Sequence, residues 1–292
     1  MYECVSLVKR NLNCFKKLNS ERRLFNNLNK DFFEVYDKSN FAKQIFLRRT
    51  VKLLRNNFDY IGYIWTDIIC KNVYNINAMN VAVAITDEKE DSKPYVYLIS
   101  TIKKHCILKY LCEDNTYNSI LLENIGFEKK EGTLVLFREI HGSVDLGIGE
   151  NLNFEMFKKG KDEQKRCIIQ NEIFHEQNRI PLILEDIYME QLQSYYFEEG
   201  SVFLKRNKEY IGYGQIIIEN DIPVIVNFGI IQKYRGRGYS KYLLSYLLNI
   251  IYQNDFHKTV IKVRNSNYKA LNLYKSVGFK VRKERFNWEL EK

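Results

Sequence analysis

The sequence predicts an α+β chain, a mixed α/β arrangement built twice in tandem, with each half a mixed, largely antiparallel sheet flanked by helices. Three observations predict it. The 292 residues are 45% apolar with only 3 prolines, and 18 Phe and 21 Tyr supply large surfaces to bury, so structure is expected almost throughout. In the second half, short apolar runs alternate with segments of helical period. The chain also repeats itself, because Tyr60-Ile61-Gly62-Tyr63 returns 150 residues later as Tyr210-Ile211-Gly212-Tyr213.

The flanks of the repeat agree at the same spacing. Leu54 matches Leu204, Arg55 matches Lys205, Asn57 matches Asn207 and Asp59 matches Glu209. Further on, His105, Asn115, Leu121, Gly126 and Phe127 match His257, Asn267, Leu273, Gly278 and Phe279, each 152 residues apart. A period of that size means duplication of a whole domain rather than a solenoid. The glycine-rich run from His141 to Gly149 lies between the copies, which places one domain at 1–141, a linker at 142–151 and a second domain at 152–292.

In the second copy a short strand is expected near 152–157, followed by amphipathic helices over 162–175 and 184–197. Apolar runs at 202–205 and 210–218, separated by Arg206-Asn207-Lys208-Glu209, read as a hairpin. Glu219-Asn220-Asp221 then turns the chain into a near-continuous apolar strand over 223–231, buried on both faces. After a glycine loop, Leu243, Leu244, Leu247, Leu248 and Ile251 mark a helix over 240–254. A strand over 259–263, a helix over 268–276 and strand material over 280–290 complete the copy.

Composition excludes several classes. The formal net charge is +9 with a pI near 9.0, but Lys and Arg are interleaved with acids rather than gathered in a stripe, which argues against nucleic-acid binding. A mild positive field suits an anionic cofactor instead. No run approaches the roughly 20 apolar residues of a membrane span, and the charged start lacks the apolar core of a signal peptide, so a cytoplasmic protein is expected. The 6 cysteines form no CxxC pair and there are only 4 histidines, so neither a metal site nor a disulfide framework is expected.

Two motifs carry chemistry. Arg235-Gly236-Arg237-Gly238 stands between a buried strand and a helix, where glycines let backbone N–H groups converge on a phosphate and the helix N-terminus faces the same anion. No GK[ST] follows, so this is not a Walker loop. The second motif runs Asn267-x-x-Ala270-x-x-Leu273-Tyr274-x-x-x-Gly278-Phe279. Asn267 suits a helix cap, Ala270 a close approach and Gly278 a left-handed terminus. Tyr274, at helical spacing, fits either the core or a working site.

Together, in this order, the two motifs resemble the GNAT acyltransferase superfamily over roughly residue 152 to the C-terminus. The resemblance implies two tandem GNAT-like domains and acetyl-CoA as cosubstrate. It implies that the loop Arg235, Gly236, Arg237, Gly238, Tyr239 and Ser240 binds the pyrophosphate, and that the main chain of Ile230 and Ile231 holds the pantetheine arm. Asn267 would lie near that arm, and Tyr274 near the sulfur, as the acid that protonates the leaving thiolate. The reaction implied is N-acetyl transfer to a primary amine of a small molecule or peptide. Many members carry Glu on the strand before the loop, where this chain reads Pro223-Val224-Ile225-Val226-Asn227-Phe228. Glu198, Glu199, Glu219 and Asp221 are other acids in reach of the region, and none stands out as the base.

The first copy departs from the pattern. Its counterpart of the phosphate loop falls at 85–94, with no glycine and four acids, which would repel a pyrophosphate. Leu122 stands in the place of Tyr274 and Asn118 in that of Ala270, while Pro94 can open the following helix. The first domain therefore reads as a degenerate copy that does not bind acetyl-CoA, in a layout similar to mycothiol synthase, where one half carries the chemistry. The missing carboxylate also admits a catalytically silent CoA-binding or protein-interaction module.

Overall fold

The computed structural model describes residues 1–82, 92–146, 151–175 and 179–292. The chain packs as two units, Met1–Thr133 with Lys283–Lys292, and Leu134–Arg282. Most of the acidic stretch at 85–94 and the end of the glycine-rich run at 147–149 lie outside the described residues.

The first unit opens with β1 (Tyr2–Ser6), α1 (Leu12–Ser20), α2 (Phe32–Tyr36) and α3 (Phe41–Arg49). Strands β2 (Val51–Asn56), β3 (Asp59–Cys70) and β4 (Val73–Val81) follow as an antiparallel meander, and α4 (Ser92–Ser100) leads to β5 (Ile107–Glu113), parallel to β4. Pro94 is the third residue of α4, inside the first turn, where its missing N–H removes no helical bond. Helix α5 (Tyr117–Asn124) and β6 (Glu128–Glu139) come next. Alternation along β2 and β3 sends Leu53, Tyr63 and Trp65 to the face covered by α1, α2 and α3, and Leu54 and Ile64 to the face covered by α4 and α5.

The second unit repeats this order. It runs β7 (Leu152–Met156), α6 (Glu163–Ile173), α7 (Leu184–Gln191), β8 (Tyr196–Arg206), β9 (Glu209–Glu219) and β10 (Ile222–Ile230). Then come α8 (Tyr239–Gln253), β11 (Lys258–Arg264), α9 (Tyr268–Ser276) and β12 (Lys280–Glu291). Its sheet has the order β7-β8-β9-β10-β11 followed by β6, antiparallel up to the parallel pair β10 and β11. The buried stripe of α8, namely Leu243, Leu244, Leu247, Leu248 and Ile251, packs into its core.

The last strand of each repeat serves the other unit. Arg285 to Glu291 of β12 pairs antiparallel with β5, while Leu134 onward of β6 belongs with the second unit. One expected element is shorter than its pattern suggested, because α7 ends at Gln191 and β8 begins at Tyr196. Tyr196 pairs with Ile217 and a bulge then carries the strand to Ser201, so strand pairing takes residues whose apolar spacing also fits a helix.

The repeat is visible in backbone conformation as well as in sequence. Asn57 and Asn207 both take left-handed φ, at 55° and 56°, in the matching hairpin turns. Gly126 and Gly278, at 92° and 89°, end α5 and α9 in the same way. In each case the residue after the glycine donates to the carbonyl five positions back, Phe127 to Leu122 (2.9 Å) and Phe279 to Tyr274 (3.0 Å).

Candidate active site

β10 and β11 are paired at Val224–Val260 and Ile225–Ile261 and then part. The cause is local to β10. Between Val226 and Gly229 its register against β9 shifts, and Asn227 takes a left-handed φ of 48°, a conformation that a short amide side chain tolerates. The parting opens a cleft of about 960 Å³, with Val226, Asn227 and Phe228 on one side and Lys262, Val263 and Arg264 on the other. Arg179, Lys262 and Arg264 give it three cations, and among the described residues no carboxylate lines it.

Tyr274 and Asn267 both line this cleft. Asn267 caps α9, its side chain accepting from Ala270 N at 3.1 Å. Tyr274 sits in the last turn of the same helix, its carbonyl held by Phe279 N and its ring packed between Phe228 and Phe279, each centroid at 6.1 Å. Burial pushes its hydroxyl up to about 12, so it is fully protonated at neutral pH. No hydrogen bond among the described residues takes up that hydroxyl.

The glycine loop lies between β10 and α8. Gly236 and Gly238 take φ of 78° and 81°, and no atom lies within 4 Å of where a Cβ would stand, so glycine is required here by backbone conformation and the space above it is open. Gly238 is the N-cap of α8, which leaves the first N–H groups of the helix, at Tyr239 and Ser240, without intrahelical partners. Arg237 is exposed with its guanidinium 5.7 Å from the Tyr234 ring centroid, and Lys233 and Tyr234 both bond Glu209.

The arginine and isoleucines at the head of the loop are internally engaged. Arg235 donates to Ile230 O at 2.8 Å and to Ile173 O, tying the loop to the ends of β10 and α6. Ile231 donates to Ile211 O (2.9 Å) and accepts from Tyr234 N (3.0 Å), so its main-chain groups face β9 and the following turn. Glu198 and Glu199 are exposed on β8, Asp221 is in the β9–β10 turn, and Glu219 pairs with Lys262 at 2.7 Å.

Sequence reading passed over a buried polar cluster beside the cleft. Arg166 of α6 is fully buried and bonds Gln170, Glu190 and Gln215. Two signals pointed to it, an arginine on the stripe shared by Ile169 and Ile173, and a glutamine inside the apolar run of β9.

In the first unit the corresponding gap is filled. β4 and β5 are paired from Val73–Ile107 to Ile76–Tyr110, and beyond them residues 25–30 bridge the two strands. Asn26 donates to Leu111 O (2.9 Å) and accepts from Glu113 N (3.1 Å), while Asn29 donates to Met79 O (2.9 Å) and Lys30 N to Asn77 O (3.0 Å). Asn118, where the other copy has Ala270, clamps the insert by donating to Phe25 O (3.1 Å) and Glu113 O (2.7 Å). Leu122, in place of Tyr274, is fully buried.

Residues 170–279 match the model of the acetyltransferase (GNAT) family. The family match lies within the second unit, and the fold of the whole chain is that of tandem GNAT structures. Its fold is that of the GCN5-related N-acetyltransferase from Sphaerobacter thermophilus, with a TM-score of 0.63 at 13% identity over 99% of this chain and 95% of that one. A tandem GNAT protein from the clavulanic acid biosynthesis pathway matches with a TM-score of 0.56 at 9% identity, over 100% of this chain and 98% of its own. An acetyltransferase of the GNAT family from Colwellia psychrerythraea gives 0.54 at 9% identity over 99% of both chains. No curated protein sequence matches. The family match over residues 170–279 supports acetyl transfer as the general chemistry there, and among the described residues no helix is long and apolar enough to cross a membrane.

Proposed function

We propose that the second unit is an N-acetyltransferase that moves the acetyl group of acetyl-CoA to a primary amine of a small molecule or peptide, with one active site per chain. The observation that carries this reading is the parting of β10 and β11 beside a loop of two left-handed glycines that opens α8. An extended thioester arm fits the gap between the strands, and the pyrophosphate fits the open backbone of Gly236 to Ser240 at the positive end of a 15-residue helix. Arg235 supports that loop from beneath, and Ile230 and Asn267 border the arm.

The chemistry closes in protons. The neutral amine nitrogen forms its bond to the acetyl carbon as the C–S bond breaks, and Tyr274 gives its proton to the departing sulfur. The proton released by the new amide nitrogen returns through water to Tyr274. Burial weakens Tyr274 as an acid, yet the same dry cleft makes the leaving thiolate more basic than it is in water. The plugged gap of the first unit, with Leu122 at the place of the acid, supports a structural role for that copy.

The test is release of CoA thiol from acetyl-CoA across an amine panel, comparing the wild type with Tyr274→Phe. Amine-dependent release that falls at least about 100-fold in kcat in the variant, with acetyl-CoA affinity kept, is the expected result. Binding without turnover on every amine would favour the silent CoA-binding module, a reading that the absence of a carboxylate among the described residues lining the thioester cleft keeps in view.

A further inference from the structure

A second cleft, of about 630 Å³, shares Arg179, Val226 and Asn227 with the first. The junction residue, Asn227, has its amide orientation set by a chain of hydrogen bonds that begins at a group able only to donate. Arg166 donates to Gln215 Oε1 at 3.0 Å, so Gln215 presents its oxygen there and its NH2 to Glu190. Asn227 Nδ2 donates to that same Gln215 oxygen at 2.9 Å. The Asn227 Oδ1 is thereby left as an acceptor, and no hydrogen bond among the described residues takes it up. An acceptor with no competing donor suits an N–H group, as an amine offers.

The remaining walls describe the rest of the ligand. Leu182, Met189, Tyr195 and Ile217 line the second cleft, with Met189 59% and Tyr195 37% exposed. Its carboxylates are engaged: Glu190 with Arg166, Glu219 with Lys262, and Asp186 with Ile183 N at 3.0 Å. Two of the three are neutralised by a cation and Asp186 accepts one backbone N–H, so among the described residues the cleft offers a single carboxylate to attract one ammonium, and the exposed apolar rim favours a hydrocarbon stem.

We propose that this second cleft is the acceptor site and takes a primary amine carried on an apolar stem, whose reacting nitrogen donates to Asn227 Oδ1 at the junction with the thioester cleft. The assignment of the nitrogen as the reacting one rests on the function proposed above; the binding of the amine does not.

The probes are 2-phenylethylamine, methylamine and 1,4-diaminobutane, titrated into the full chain by calorimetry and then used as acceptors with acetyl-CoA. 2-Phenylethylamine should bind the free chain at least about tenfold more tightly than the other two. Met189→Lys should weaken it by a similar factor while leaving acetyl-CoA affinity within about twofold. Asn227→Gly keeps the left-handed backbone and removes the amide. It should raise the KM for 2-phenylethylamine about tenfold with thermal stability held. Equal affinity for all three amines, or affinity and KM unchanged in both variants, would overturn the proposal. Failure of acetyl-CoA itself to bind would instead remove the acetyltransferase reading, and the amine titration would still decide the cleft.

Discussion

Arg235 Nε donates to the main-chain carbonyl of Ile230 at 2.8 Å, so the exposed side chain at the head of the glycine loop is tied to the strand before it. Its other contact, with Ile173 O, joins α6 to the same point. The residue that sequence assigns to the phosphate is thus bonded to the main chain on both sides of the loop's head. Arg235→Ala should cost about 2 kcal/mol and weaken acetyl-CoA binding about tenfold. Arg235→Lys should behave like the alanine variant, because one ammonium cannot reproduce the guanidinium fork. Calorimetry checks this, and a lysine variant with wild-type affinity would mean that charge alone matters.

The insert in the first unit carries its own prediction. Asn29 is 4% exposed and bonds Arg22 O, both main-chain groups of Met79, and the Tyr110 hydroxyl. Asn29→Ala leaves several of these groups buried without partners, at about 1–3 kcal/mol each, so unfolding free energy should fall by about 3 kcal/mol or more. Chemical denaturation measures it. A change below about 0.5 kcal/mol would show that the bridge between β4 and β5 is not held by this side chain.

A pH dependence follows from Glu155 on β7. Burial would raise its carboxyl, but hydrogen bonds from Lys205 (2.9 Å), Tyr210 (2.8 Å) and Lys165 (3.2 Å) outweigh that and hold it down at about 2. A carboxyl depressed in the folded state stabilises above its unfolded value near 4.5 and loses that contribution as pH falls through about 2. Glu155→Gln should therefore lower stability by about 1–2 kcal/mol at pH 7, with the gap from wild type closing between those two values. A gap of constant size across the acid range would contradict it. Lys165 neighbours Arg166, so this contact also steadies the helix that sets the Gln215 and Asn227 amides.

Much of this was legible in the residues because it is local. The caps at Asn267 and Gly278, the turns at Asn207 and Asn220, and the stripe of α8 depend on a few neighbouring positions, and the structure has each of them. The duplication was legible because the same local signals recur. What sequence could not supply is non-local. That residues 25–30 bridge β4 and β5 depends on contacts about 50 and 85 residues away, between Asn29 and Met79 and between Asn26 and Leu111. The contact of Arg235 with Ile173, and the chain from Arg166 to Asn227, likewise join helices and strands far apart in sequence. Periodicity places each of those residues on an element but not against its partner.

The measurement that bears most directly on the central claim is the stoichiometry of acetyl-CoA binding to the full chain by calorimetry. One site per chain is expected, abolished by replacing the left-handed Gly236 with aspartate and unaffected by Asn29→Ala in folded protein. Two equivalent sites, or one site that survives the Gly236 change, would contradict the account.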